Sequence, residues 1–178
     1  MLRLCVGSVV GIFSFVSPVF GAAPDAVQLA SDATRVKVEA NEATGLRKFM
    51  APPVRFTARD RTDGYAIVSR TVDKGVAGAI EVSGLVRYPE DFRSYDHATF
   101  RDGHPIPFEQ IKDSSEWVDD TQLFTEEFKL SITDEQLAHY ANQYDKVPVL
   151  VRSTESQQSF LVYIPVNHFA AVLEVSQR

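Results

Sequence analysis

Histidines and carboxylates are the residues of this chain best suited to metal or acid–base chemistry, so their spacing is the first question. The chain has four histidines, His97, His104, His139 and His168. His97 and His104 flank Asp102-Gly103, with Asp96 nearby. A shared metal would need the two rings within one coordination sphere. If Asp102-Gly103 is a two-residue hairpin turn, His104 lies opposite Arg101 and His97 four residues further up the strand. At ~3.3 Å per residue that is about 13 Å, too far for one ion. No His-Glu-x-x-His motif occurs.

Two charged segments are the next candidates. Glu109 to Glu127 holds seven acids against Lys112, a net −6. Clustered carboxylates on a loop can hold Ca²⁺, but the alternating Asp-x-Asp-x-Asp-Gly ligand pattern is missing and a solvated acidic loop is expected. Leu46 to Thr62 is the opposite, with Arg47, Lys48, Arg55, Arg59 and Arg61 against Asp60, and with Phe49 and Phe56 among them. Such a stretch could track an anionic polymer, yet an acidic chain is a poor nucleic-acid binder. The simpler expectation is a strand whose basic face pairs with the acidic segment. Residues 22–75 carry 9 bases and 7 acids, whereas residues 76–178 carry 8 bases and 17 acids.

Nucleophile and phosphate motifs are missing. There is no Gly-x-Ser-x-Gly, no Ser-x-x-Lys, no P-loop and no dinucleotide fingerprint. Asp91 and Asp96 could form a carboxylate pair, but nothing in their spacing sets them apart from surface acids. Trp117 and most of the other aromatic residues are assigned to the core. No catalytic residue, metal ligand or cofactor is expected.

The elements that must carry these residues are mostly strands. Ile80, Val82, Val86 and Tyr88 fall on one face of Gly78 to Tyr88, and Phe124, Phe128, Leu130 and Ile132 on one face of Leu123 to Thr133. Both patterns have the period of half-buried antiparallel strands, as does Tyr65 to Val72. Val147 to Val151 and Phe160 to Val166 are apolar on both faces and are expected to form a central hairpin. His97 to Arg101 and Ile106 to Ile111 form a second hairpin about Asp102-Gly103, pushed to a sheet edge by Pro105 and Pro107. Thr133-Asp134-Glu135-Gln136 is a capping box for a short helix, and Asn167 is the expected cap of a last one. The fold class is therefore mainly β, an antiparallel β-sandwich or partly open barrel with two short helices near the C-terminal end, plugging its ends.

The N-terminus carries an address. Arg3, the apolar run Leu4 to Phe20 with Pro18, and the small residues Gly21, Ala22 and Ala23 have the layout of a secretory signal peptide. Cleavage after Gly21 suits the small-residue rule best, giving 1–21 as signal peptide, 22–50 as a lead-in with an edge strand at Arg35 to Glu39, and 51–178 as one β-rich domain. The formal net charge of all 178 residues is −6. Removing Arg3 makes it one unit more negative, and removing Cys5 leaves no cysteine for a disulfide, thiol chemistry or thiolate ligation. No further membrane span is expected in the mature chain, and the location would be periplasmic or extracellular.

Asp91-Phe92-Arg93-Ser94-Tyr95-Asp96-His97-Ala98, the Asp102-Gly103 turn, Glu126-Glu127-Phe128 and Ile164-Pro165-Val166 together resemble a group of small exported proteobacterial proteins of unassigned function. The resemblance spans roughly residues 65–175. It implies a cysteine pair between the edge hairpin and the acidic strand, which Lys112 to Phe124 lacks, and it brings no reaction with it. The functional expectation is an exported, non-catalytic module that binds an envelope protein or an anionic polymer, and not nucleic acid. The alternatives are a hydrolase with a dispersed site and a metal- or Ca²⁺-binding envelope protein. The expected contact surface is the hairpin tip, Arg101, Asp102 and His104, beside Tyr95 and Phe100.

Overall fold

The computed structural model describes residues 26–58 and 60–178. The chain runs β1 (Ala26–Leu29), β2 (Arg35–Asn41), β3 (Leu46–Met50), β4 (Val54–Thr57), β5 (Asp63–Asp73), β6 (Val76–Pro89), β7 (His97–Phe100), β8 (Pro105–Ile106), β9 (Phe108–Val118), β10 (Thr121–Ile132), α1 (Asp134–Ala141), β11 (Lys146–Arg152), β12 (Ser159–Pro165) and α2 (Val166–Ser176). All the pairings are antiparallel. An eight-stranded sheet has the order β1-β2-β3-β5-β6-β10-β9, with β4 also pairing β5, and a four-stranded sheet has the order β12-β11-β7-β8. The protein is mainly β, with two packed sheets and no closed barrel.

Alternation explains the two longest inner strands. Ile80, Val82, Val86 and Tyr88 are buried along β6, and Phe124, Phe128, Leu130 and Ile132 along β10, while the residues that alternate between them are half-buried. The two strands pair from Ile80 opposite Ile132 to Pro89 opposite Leu123. Gly84 lies opposite Phe128, and a Cβ there would sit 2.1 Å from the Phe128 ring. The missing side chain is the space the ring fills. Phe160 of the small sheet stacks on Phe56 at 5.2 Å and meets Phe128 at 5.9 Å, which joins the two layers.

Thr133 caps α1 as expected, with both hydrogen bonds of the capping box present. The other helix differs. Pro165 is the N-cap of α2, and Asn167 lies inside the first turn, donating to Thr34 Oγ1 at 3.2 Å. This helix does not plug an end. Phe169, Val172 and Val175 are buried where it lies against β2, β3 and β5 on the inner face of the large sheet.

Several strands stand elsewhere than expected. Arg35–Asn41 is no edge strand, because β1 and β3 flank it. The hairpin β11–β12 is not central: β12 is an edge, with Leu161 and Tyr163 exposed. The hairpin at Asp102-Gly103 has a three-residue loop, Arg101 to Gly103. The Phe100 N–H donates to the His104 carbonyl at 2.9 Å, and Gly103 takes φ +91°. Its second arm ends after Ile106, and at Pro107 the chain crosses to the large sheet, so Phe108 to Ile111 belong to β9. No helix among the described residues is long and apolar enough to cross a membrane.

Candidate functional site

At one end of the sandwich, β5 and β10 begin and β6 and β9 end, and the chain between β6 and β7 folds over them. That segment owes its shape to Glu126. The residue sits at an inward position of β10, between Phe124 and Phe128, and is 1% exposed. Its carboxylate accepts from the Tyr88 hydroxyl and from the backbone N–H groups of Arg93 (3.2 Å), Ser94 (3.0 Å) and Tyr95 (2.9 Å). Three successive amides thus converge on one buried anion, and Ser94 takes φ +53° to let them. A buried charge persists only when its lone pairs are satisfied, and here they are. Burial and the Glu126 carboxylate both push the Tyr88 phenol well above the ordinary tyrosine range, so it remains a donor.

Arg93 is the second anchor. Its guanidinium lies 4.2 Å from the Tyr88 ring centroid and donates to Asp60 at 2.6 Å, Thr62 Oγ1 at 2.7 Å and Tyr95 Oη at 3.3 Å. Burial opposes ionisation of Asp60, but hydrogen bonds from Thr62 and Arg93 outweigh it and hold the carboxyl below its usual range. Ser156 adds a bond to the Arg93 carbonyl at 2.8 Å. The network links the large sheet, the 90–96 segment and the loop after β11. Apart from Asp60, which also borders the solvent, its groups are buried or half-buried and bonded to one another, which suits a rigid floor.

Above that floor is an open cleft of about 690 Å³, walled by Asp60, Arg61, Glu90, Asp91, Trp117 and Asp120. Trp117, the only tryptophan, is 72% exposed and not in the core as its type suggested. The reason is its place near the tip of the β9–β10 hairpin, opposite Gln122, beyond the reach of the small sheet. The turn itself is Asp119-Asp120, with φ of 45° and 61°. The acidic segment is therefore two paired strands rather than a loop. Glu109 within it is bound to Lys129 at 2.7 Å, and Glu126 is buried.

The hairpin tip fares differently. Arg101, Asp102 and His104 are exposed. Asp102 lies 3.1 Å from the His104 ring and accepts from the Tyr140 hydroxyl at 2.6 Å, so the tip is clamped to α1. The hydrogen bond from Tyr140, with those from His104, holds the Asp102 carboxyl low. Phe100 is fully buried and stacks on Tyr140 at 3.9 Å, so it mounts the tip without being part of its surface. Tyr95 is buried in the Arg93 network, preceding the other end of β7. The five residues expected to form one surface are thus split between the two ends of β7, and Tyr95 and Phe100 are buried.

His97 pairs with Asp96 at 2.6 Å, apart from the His104–Asp102 pair. Among the described residues no three His, Cys, Asp or Glu side chains gather as a metal would require. In the basic stretch Phe49 is buried and Phe56 stacks on Phe160, so neither offers a base-stacking surface. Nor does that stretch pair with the acidic strand, since β5, β6 and β10 lie between β3 and β9.

Glu126 and Trp117 were the residues that sequence reasoning passed over. Glu126 did carry a signal: the alternation that buries Phe124 and Phe128 necessarily buries the residue between them. No family model, curated protein or solved structure matches the chain.

Proposed function

We propose that this is an exported, non-catalytic binding module that takes a protein partner in the cleft at the loop end of its sandwich. The observation that carries the reading is Trp117, a large aromatic side chain held in water beside a floor made rigid by the Glu126 and Arg93 network. An exposed tryptophan forfeits burial energy, and binding surfaces are where such residues concentrate. Floor rigidity supports the same reading, because a preorganised site loses less entropy on binding. Four carboxylates, Asp60, Glu90, Asp91 and Asp120, face the cleft against Arg61 and an Arg93 already bound to Asp60. That charge favours a protein partner with basic side chains over an anionic polymer.

The test compares both ends of the molecule. Protein immobilised from the wild type, from Trp117→Ala with Asp91→Ala, and from Arg101→Ala with His104→Ala is challenged with envelope extract. The cleft variant should lose the retained partner at an unchanged melting temperature, and the hairpin variant should keep it. The opposite pattern would move the site to the hairpin tip. Trp117 emission should also shift to shorter wavelength with the purified partner, since it is the only tryptophan.

A further inference from the structure

The wall that carries Trp117 is also a free sheet edge. Among the described residues the strand β9 pairs with β10 alone, and every residue from Glu109 to Val118 is exposed. A bulge at Ile111 interrupts the ladder, but from Lys112 opposite Glu127 to Val118 opposite Thr121 the register is unbroken. An edge of this length leaves a row of backbone donors and acceptors available, and proteins ordinarily shorten, cover or proline-block such edges. The other edges are shorter: β8 has two residues, one a proline, β1 and β4 have four each, and β12 has seven and ends on Pro165.

Charge and side-chain direction narrow the occupant. Directly opposite residues share a face, so Asp113, Ser115 and Trp117 point to the side of Glu126, Phe124 and Gln122, where the cleft lies. Lys112, Ser114 and Glu116 point to the other side. The strand has three acids to one base and ends at Asp119-Asp120, so a second copy of β9 would be repelled. A cationic segment meets carboxylates on both faces, and a Lys or Arg beside Trp117 gains a cation–π contact.

We propose that β9 accepts an extended, Lys- or Arg-rich polypeptide segment as an added strand, whose side chains on one face reach the cleft at Trp117. This deepens the cleft reading and rests on it. Backbone hydrogen bonds supply the pairing, and alternate cationic side chains supply the selectivity.

Three synthetic peptides test it against the protein: one alternating Lys with Val and Thr, its Glu counterpart, and the Lys peptide N-methylated at every second amide. The Lys peptide should shift Trp117 emission and slow hydrogen exchange along β9. The N-methylated form keeps the charge but cannot extend a sheet, and should bind about tenfold weaker or less. The variant Asp113→Lys with Glu116→Lys should lose about tenfold in affinity for the Lys peptide and gain binding to the Glu peptide, which also shows that it is folded. Equal binding of the N-methylated peptide would overturn strand addition, as would exchange slowing on β1 or β12 instead. A Lys peptide that does not bind, or an affinity indifferent to the charge swap, would overturn the cationic partner. The cleft reading falls by a different result, retention of the envelope partner by the Trp117→Ala, Asp91→Ala variant.

Discussion

Among single residues, Glu126 contributes most to the shape of the candidate site. It is a buried carboxylate with no side-chain cation bound to it among the described residues, held by the Tyr88 hydroxyl and three backbone amides. Glu126→Ala would leave those donors buried and unpaired, and should cost about 3–5 kcal/mol. A urea midpoint equal to that of the wild type would mean that the 90–96 segment is held some other way. Glu126→Gln keeps an acceptor oxygen and should cost less. His168 is half-buried, and its enclosed Nδ1 lacks a partner among the described residues. Burial lowers its pKa from 6.5, and Asp32 only partly offsets this. The unfolded chain therefore binds the proton first as pH falls. Stability should be full above pH 6.5 and decline below it, until the lowered folded value is passed. Urea titrations from about pH 7.5 to about pH 5.5 should show that slope in the wild type and a flatter one in His168→Gln.

At the scale of elements, the β6–β10 pair is the spine of the large sheet. Phe128 faces Gly84, stacks on Phe108 at 5.7 Å and touches Phe160 across the layers. Phe128→Ala should cost about 3–5 kcal/mol, because strands on both sides prevent the cavity from collapsing. A melting temperature unmoved by it would place the ring outside the core. The alternation of β6 and β10 was legible in the sequence because the period of two is a property of each strand alone. The capping box was legible for the same reason, being closed within four residues. The fate of Phe108 to Ile111 was not. Whether those residues continue a hairpin or cross to another sheet depends on Ser131, whose N–H donates to the Pro107 carbonyl at 3.1 Å, and no local pattern records that partner.

For the whole molecule, the layout has a polar end and an acidic edge on the same side. The loop end carries the cleft, β9 carries the carboxylates, and α2 closes the inner face of the large sheet where the small sheet does not reach. The expected export signal, residues 1–21, belongs to this scale and lies outside the described residues. The exported protein should begin at Ala22. Mass spectrometry of the native N-terminus checks this, and a mass that includes Met1 to Phe20 would place the module on an anchor.

By itself the sequence determined the strand class, the inward faces of β6 and β10 and the cap of α1, each of which depends on neighbours close in the chain. Tertiary structure alone decided which strands became edges, which acids were buried and where Trp117 went. Asp91, Glu126 and Asp113 are chemically alike, yet the first lines a cleft, the second anchors backbone amides and the third lies on a free edge. Their environments come from segments tens of residues away. Burial and exposure are set by what packs opposite a residue, and that partner is chosen by the fold as a whole.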